Sequence, residues 1–269
     1  MIDCHVHLDD EKFIGDVDRI IEEAEAAGVR LMLSAGVDVE SSHAVLQLAE
    51  RYTNVWAAVG FHPHETTRMT QEDLVELRML AAHPKVVAIG EIGLDFHFEH
   101  SPQDVQRRAF RQLLDLAADL ALPVVVHNRD ANNCMRDILG EWAEEAAGEY
   151  VGRPLGMLHC FSEDITQAEF FIERGLYLSL ASPVTYPNAK ATHEVAMKAP
   201  MDRLLTETDA PYLPPQGQRG QRNAPANVAA VVHRLAELRE MTPAEVSLQV
   251  DRNAEVLFGF QARRMRGVR

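Results

Sequence analysis

The sequence predicts an α/β protein, a (β/α)8 TIM-like barrel with an extra C-terminal helix. Short apolar segments rich in Val, Ile and Leu alternate with longer segments in which apolar residues recur at helical spacing. Eight such pairs follow one another, and 269 residues suit a barrel of this kind.

Each predicted strand is aliphatic and too short to form a buried helix, which is typical of parallel strands covered on both faces. Val124-Val125-Val126, after Pro123, is a clear example. In chain order the strands cover about residues 2 to 8, 30 to 36, 55 to 60, 86 to 92, 123 to 127, 155 to 160, 176 to 180 and 203 to 208.

The segments between the strands have the apolar spacing of helices. They cover residues 16–28, 40–52, 71–83, 104–121, 132–147, 164–174, 188–199 and 227–240.

A ninth helix is predicted after the barrel. Thr242 suits the N-cap, Pro243 the first helical position and Glu245 the third. We expect this helix to run to Leu257 and to pack outside the barrel. No linker divides the chain, so residues 1–269 are predicted to form a single domain, in which the basic residues 263–266 are solvated.

The composition is typical of a soluble enzyme. Hydrophobic residues make up 46% of the chain, and we find neither a membrane-spanning segment nor a signal peptide, so we expect a cytoplasmic protein. The net charge of −15 argues against binding a long duplex through a basic surface. The sequence does not distinguish a monomer from a dimer, and a monomer is the simpler expectation.

The three cysteines show neither an even count nor a Cys-x-x-Cys spacing. We therefore predict no disulfide framework and no structural zinc site. Cys4 and Cys160 adjoin candidate site histidines, and both are interpreted as small buried residues.

Polar residues recur at the ends of the predicted strands. His5 and His7 alternate along the first strand, so their side chains project from one face beside Asp3. In a barrel the C-terminal ends of the strands converge on one mouth. The residues expected to meet there are His5, His7, Glu91, His127, His159 and Asp209.

Histidine and carboxylate ligands without thiolate suit Zn²⁺, Mn²⁺, iron or Mg²⁺. The number of histidines argues against a site for Mg²⁺ alone. Six ligands exceed what one catalytic metal ion needs, so we predict two divalent ions. His5, His7 and Asp209 would hold one ion, and His127 and His159 the other. Glu91 would bridge the two ions, and Asp209 would accept a proton from the attacking water.

Seven motifs in order resemble those of the TatD family of metal-dependent deoxyribonucleases. The resemblance spans residues 2 to about 258 and implies hydrolysis of DNA, often from the 3′ end, with one or two divalent ions. The resemblance also implies that the family's metal ligands are, in this chain, His5, His7, Glu91, His127, His159 and Asp209. The motifs are HVHLD at 5–9, GFHPH at 60–64, GEIGLD at 90–95, HNRDA at 127–131, HCFS at 159–162, ETDAPYL at 207–213 and RNAPANV at 222–228.

Four residues near these motifs are candidates for substrate binding. His62 and His64 are candidates for contact with the scissile phosphate, and Arg129 and Arg222 for bidentate binding of phosphate. Asp95 and Glu207 are candidates for orienting the metal-bound histidines. Glu163 stands where the family commonly has glycine, which adds negative charge near the mouth.

Three functions stay open from the sequence. The first is a phosphodiesterase, a 3′–5′ exonuclease on single-stranded or frayed DNA, with RNA as a further substrate. The second is an amidohydrolase or lactonase, whose dinuclear members often have a modified lysine where this chain has Glu91. The third is a non-catalytic metal-binding protein on the same barrel.

Overall fold

The computed structural model describes residues 1–146, 148, 150 and 152–260. Eight parallel strands form one sheet in chain order, as predicted. They are β1 (Ile2–Val6), β2 (Leu31–Ala35), β3 (Val55–Val59), β4 (Val86–Asp95), β5 (Val124–Arg129), β6 (Gly156–Leu158), β7 (Leu176–Leu180) and β8 (Leu204–Thr206).

The helices that the structure describes lie between and after these strands. They are α1 (Val17–Ala26), α2 (Val39–Arg51), α3 (Gln71–Ala81), α4 (Gln103–Leu120), α5 (Asn132–Ala146), α6 (Ile165–Glu173), α7 (Lys190–Lys198), α8 (Val228–Arg239) and α9 (Pro243–Phe258). The predicted end of the fifth helix at residue 147 and the basic residues 263–266 lie outside the described residues. The structure thus confirms the predicted TIM-like barrel with its additional C-terminal helix.

The sheet curls until its first and last strands meet at a seam. The backbone N–H of His7 donates to the carbonyl of Ala210 (2.8 Å), and that of Asp209 donates to the carbonyl of His5 (3.0 Å). Val6 and Ala210 also form a parallel bridge. The result is a nearly closed barrel in which the ends of β1 and β8 are neighbours.

Two apolar clusters fill the fold, and along most strands neighbouring residues belong to different clusters. The larger cluster, with Met32, lies between the strands and the helices. The smaller cluster contains Leu31, Leu33 and Trp56 and fills the barrel interior. This division follows from the alternation of side chains along each strand.

Helix α9 packs across the N-terminal end of the barrel. Leu257 and Phe258 join the interior cluster beside Ile2 and Leu31, the first residues of β1 and β2. The side chain of Asn253 donates to the carbonyl of Leu204, where β8 begins (2.7 Å). The helix therefore lies outside the barrel, as predicted, and closes the end opposite the mouth.

Several strand ends differ from the prediction. β4 continues to Asp95, because Asp95 still pairs with Arg129 of β5. β6 and β8 end early, and soon after them Cys160 (φ 45°) and Asp209 (φ 57°) adopt left-handed backbone conformations that end an extended strand.

The prediction that both site-adjacent cysteines are buried is wrong for one of them. Cys4 is buried within the barrel, whereas Cys160 is partly exposed because the chain turns at this residue, at the rim. Cys4, Cys134 and Cys160 are all free thiols. Among the described helices, none is both long and apolar enough to cross a membrane.

Candidate metal centre

The C-terminal ends of five strands bring the six predicted ligands together. β1 carries His5 and is followed at once by His7, the middle of β4 carries Glu91, and β5 carries His127. The other two follow directly on strands, His159 after β6 and Asp209 three residues after β8. Subsets of these side chains have ligand atoms within 4.8 Å of one another.

The first cluster consists of His5, His7, Asp209 and one oxygen of Glu91. The two histidine Nε2 atoms lie 3.2 Å apart. Glu91 Oε2 lies 3.4 Å from His5 Nε2 and 3.5 Å from His7 Nε2. Asp209 Oδ1 lies 3.6 Å and 3.5 Å from the same two atoms. Four donor atoms, from β1, the residue after it, β4 and the loop after β8, thus surround one point.

The second cluster uses the other oxygen of Glu91. Oε1 lies 2.8 Å from His127 Nδ1 and 2.8 Å from His159 Nε2. These two nitrogens lie 3.1 Å apart. Each oxygen of the Glu91 carboxylate therefore faces a different cluster.

The geometry of the first cluster fits a metal ion. A tetrahedral ion with ligands at ~2.1 Å places them ~3.4 Å apart, and the distances in this cluster range from 3.2 to 3.6 Å. The donors are nearly inaccessible, with His5 at 0% and Glu91 at 2% exposure. Buried donors this close are costly unless they are paired with protons or a metal ion.

The imidazoles are held from behind by other groups. The Nδ1–H of His7 donates to the carbonyl of Ala35 (3.1 Å), which leaves Nε2 free as a ligand. His127 Nε2 contacts Asp95 (3.2 Å), and His159 Nδ1 lies 3.4 Å from Glu207. Such contacts orient ligands and fix their tautomers.

His62 lies beside the second cluster, and with Glu91 and His127 it forms a further group whose ligand atoms lie within 4.8 Å of one another. Its Nδ1 accepts from the backbone N–H of His64 (3.1 Å), so the neutral ring carries its proton on Nε2. Nε2 lies 3.4 Å from Glu91 Oε1, toward which it presents that N–H. Burial lowers the pKa of His62 to about 4, so the ring is neutral.

The carboxylates set the protonation of the site when no metal ion is bound. Burial lowers the pKa of His7, but the contact with Asp209 and the charge of Glu91 outweigh burial and raise it to about 9. His159 has a pKa well above its usual range despite burial, because Glu91 and Glu207 are close. Burial raises the pKa of Glu91, yet the surrounding imidazoles hold it well below its ordinary value. A metal ion would take the place of these protons.

Asp3, below the first cluster, joins the two strands of the seam. Its carboxyl group accepts from the backbone N–H (2.9 Å) and the hydroxyl (2.6 Å) of Thr208. Burial raises the pKa of Asp3 to about 8 although these hydrogen bonds act against it. Asp3 thus fixes the backbone immediately before Asp209 relative to β1.

The four predicted substrate residues have different surroundings. His64 Nε2 contacts Asp95 (2.9 Å), and its ring centroid lies 6.4 Å from that of His127. Arg129 is exposed, and its guanidinium carbon lies 4.6 Å from the ring centroid of Phe98. Arg222 instead pairs with Asp16 and is not brought to the metal cluster.

Two exposed aromatic residues at the mouth were not singled out by sequence reasoning. Phe98 is 51% exposed and lies 5.7 Å from the ring of His64. Tyr212 is 43% exposed, and its ring lies 5.9 Å from that of His7. The sequence could have indicated both residues, because each is a large aromatic residue in a loop that follows a strand associated with a predicted ligand.

Nitrogen and oxygen donors gathered at the open end of a (β/α)8 barrel are the means by which a broad class of hydrolases binds its metal ions, and fold and site place this protein in that class of metal-dependent hydrolases. Within the class, the family model described as TatD related DNase matches residues 2–259, so the chain belongs to the TatD family.

Individual relatives agree with this assignment over nearly the whole chain. The uncharacterized metal-dependent hydrolase YabD of Bacillus subtilis is 41% identical, covering 96% of this chain and 98% of its own. The 3′-5′ ssDNA/RNA exonuclease TatD of Citrobacter rodentium is 35% identical, with coverage of 96% and 98%. The crystal structure of YJJV, a TatD homologue from Escherichia coli, is 33% identical, with a TM-score of 0.87 and coverage of 96% and 98%.

Proposed function

We propose that the protein is a 3′–5′ exonuclease that hydrolyses phosphodiester bonds of single-stranded DNA, or of frayed 3′ ends, with two divalent ions. The observation that carries the proposal is the Glu91 carboxylate, whose two oxygens face two adjacent ligand clusters. Two metal ions bound side by side can stabilise both the attacking and the leaving oxygen of a phosphoryl group. The names of relatives at 35% identity support the polarity and extend the substrates to RNA.

The six ligands would divide the chemistry between them. Divalent ions held here, Mg²⁺, Mn²⁺ or Zn²⁺, supply an acidified water and positive charge for the phosphoryl oxygens. Asp209, whose side chain is 13% exposed, is the proposed general base that accepts the proton of the attacking water. Glu91, His5, His7, His127 and His159 position the ions, with Glu91 shared between them.

His62 and His64 complete the proposed site on the side of β4 and β5. The Nε2–H of His62 holds Oε1 of Glu91 in place and lies beside the position that a phosphate would take. His64 is tied to Asp95, which also contacts His127. Both residues are therefore proposed substrate contacts that also order the ligands.

The test is cleavage of a 5′-labelled single-stranded oligonucleotide by protein stripped of metal and resupplied with Mg²⁺, Mn²⁺ or Zn²⁺. We expect a ladder that shortens from the 3′ end and requires metal. Asp209→Asn should lower kcat about 10²–10⁴-fold. Asp202→Asn is the matched control, because Asp202 is exposed and precedes β8 at its other end.

The same assay separates the competing functions. An oligonucleotide that stays intact with every metal would overturn the nuclease proposal, and amide and lactone substrates would be tried next. Stoichiometric metal binding without turnover of any ester or amide would indicate a non-catalytic metal-binding protein.

A further inference from the structure

Three arginines near the mouth have no carboxylate partner. Among the residues that the structure describes, no acid lies within ion-pair distance of Arg107, Arg129 or Arg136, whereas Arg30, Arg51 and Arg78 are paired. Arg107 and Arg136 instead contact the neutral groups of Gln103 and Gln167. Positive charge left unpaired in a protein of net charge −15 attracts a polyanion locally.

Arg107 lines a groove, and Arg129 adjoins the groove residue Asp130 in the chain. The groove has a volume of about 650 Å³ and lies between α4, α5 and α6. Its lining includes Phe96, Arg107, Asn132, Asn133 and Gln167. Asp130 also lines it and lies 2.8 Å from His97, and Glu163 accepts a hydrogen bond from Asn132, so two carboxylates accompany the arginines along the groove.

Arg129 and Phe98 lie between the groove and the metal cluster. The guanidinium of Arg129 rests on the exposed ring of Phe98. Phe98 contacts His64, and through His62 this row of rings reaches His127. A planar, exposed cation supported on an aromatic ring is a surface on which a nucleobase stacks.

Acidic residues surround the loop after β1 on the opposite side of the mouth. Asp9, Asp10 and Asp16 cluster around the loop after β1, and the guanidinium of Arg222 is already bound to Asp16. Tyr212 donates its hydroxyl to Asp10. On this side Arg222 is therefore already paired, whereas among the described residues Arg107 and Arg129 have no acid within ion-pair distance.

We propose that this groove binds the segment of single strand on the 5′ side of the scissile phosphate. A base of this segment stacks on the guanidinium of Arg129 above Phe98, and a phosphate further upstream is bound by Arg107. The inference rests on the proposed exonuclease function, since it assigns the part of the substrate that is retained after each cut.

Binding tests the groove without cleavage. The fluorescence anisotropy of a 5′-labelled decanucleotide is followed with metal-free protein at several salt concentrations. Arg107→Gln should weaken binding and reduce the salt slope by ~0.7, the value for one phosphate contact on a single strand. Arg108→Gln should leave the slope unchanged, because neighbouring Arg108 points to Asp104 on the surface of the same helix.

Stacking is tested at Phe98. Phe98→Leu should reduce decanucleotide affinity about tenfold, whereas Phe98→Tyr keeps the ring and should retain affinity. In cleavage, Phe98→Leu should reduce the ratio of kcat/KM for the decanucleotide to that for a dinucleotide. Circular dichroism confirms that each variant is folded.

The outcomes separate the two proposals. Metal-dependent cleavage with a salt slope and length ratio unchanged in the Arg107 and Phe98 variants would overturn the groove and leave the nuclease standing. Binding that depends on these residues without any cleavage would overturn the nuclease and retain a strand-binding groove. Absence of both binding and cleavage would overturn both.

Discussion

Glu91 is the residue on which the dinuclear proposal depends, because no other described side chain contacts both ligand clusters through separate oxygens. We expect Glu91→Gln, which keeps the shape but replaces one oxygen by an amide nitrogen, to lower metal content from two ions toward one. Elemental analysis after dialysis against metal checks this. Glu207→Gln is a useful comparison, since Glu207 contacts only His159 among the ligands. Two ions retained in Glu91→Gln would contradict the bridging role.

Metal uptake should depend on pH because the ligands carry protons when no metal is bound. The pKa of His7 is raised to about 9, and that of His159 also lies above its ordinary value. A metal ion binds only unprotonated nitrogen, so uptake near pH 7 releases protons and affinity rises as pH increases toward 9. Calorimetric titrations in buffers of different ionisation enthalpy measure this release. Heats that do not change with buffer would contradict the expectation.

The sequence was sufficient to predict which six residues meet, and it was less informative about their hydrogen bonds. His5 and His7 meet Glu91 because strand ends in a barrel converge, a property of the architecture. The tautomer of His62 and the partner of Arg222 depend on single contacts with His64 and Asp16. The spacing of residues along the sequence does not predict such contacts.

At the scale of elements, α9 shows how a local signal and a tertiary role coincide. Thr242 and Glu245 form the predicted capping box, in which each side chain accepts from the other residue's backbone N–H. Thr242→Ala should cost about 1 kcal/mol and lower Tm by about 2–4 °C. Thermal denaturation measures this, and Thr166→Ala, an exposed residue inside α6, serves as control. An unchanged Tm would mean that packing alone holds α9.

Element boundaries were predicted best where local pattern and tertiary pairing agree. The predicted start of α9 is exact because the capping residues specify it. The end of β4 was missed because its extension depends on pairing with β5, and the apolar pattern had already ended at Ile92. Likewise, the side of the barrel that α9 covers follows from packing against Ile2 and Leu31 rather than from its own sequence.

At the scale of the molecule, the predicted single domain stays a prediction. Because α9 contributes to the interior cluster and the seam ties β1 to β8, we expect metal-free protein to unfold in one cooperative transition. Calorimetry checks this through the ratio of the van't Hoff to the measured enthalpy, expected near unity. A resolved second transition would indicate separate units.

The seam between β1 and β8 also has a consequence for synthesis. The first cluster takes His5 and His7 from the beginning of the chain and Asp209 from more than 200 residues later, and the Thr208 hydroxyl donates a hydrogen bond to Asp3. A growing chain therefore displays its first two imidazoles long before their carboxylate neighbour exists. The complete set of donor atoms exists only after most of the polypeptide has been made. Metal binding at this cluster would therefore indicate that the barrel has closed between β1 and β8.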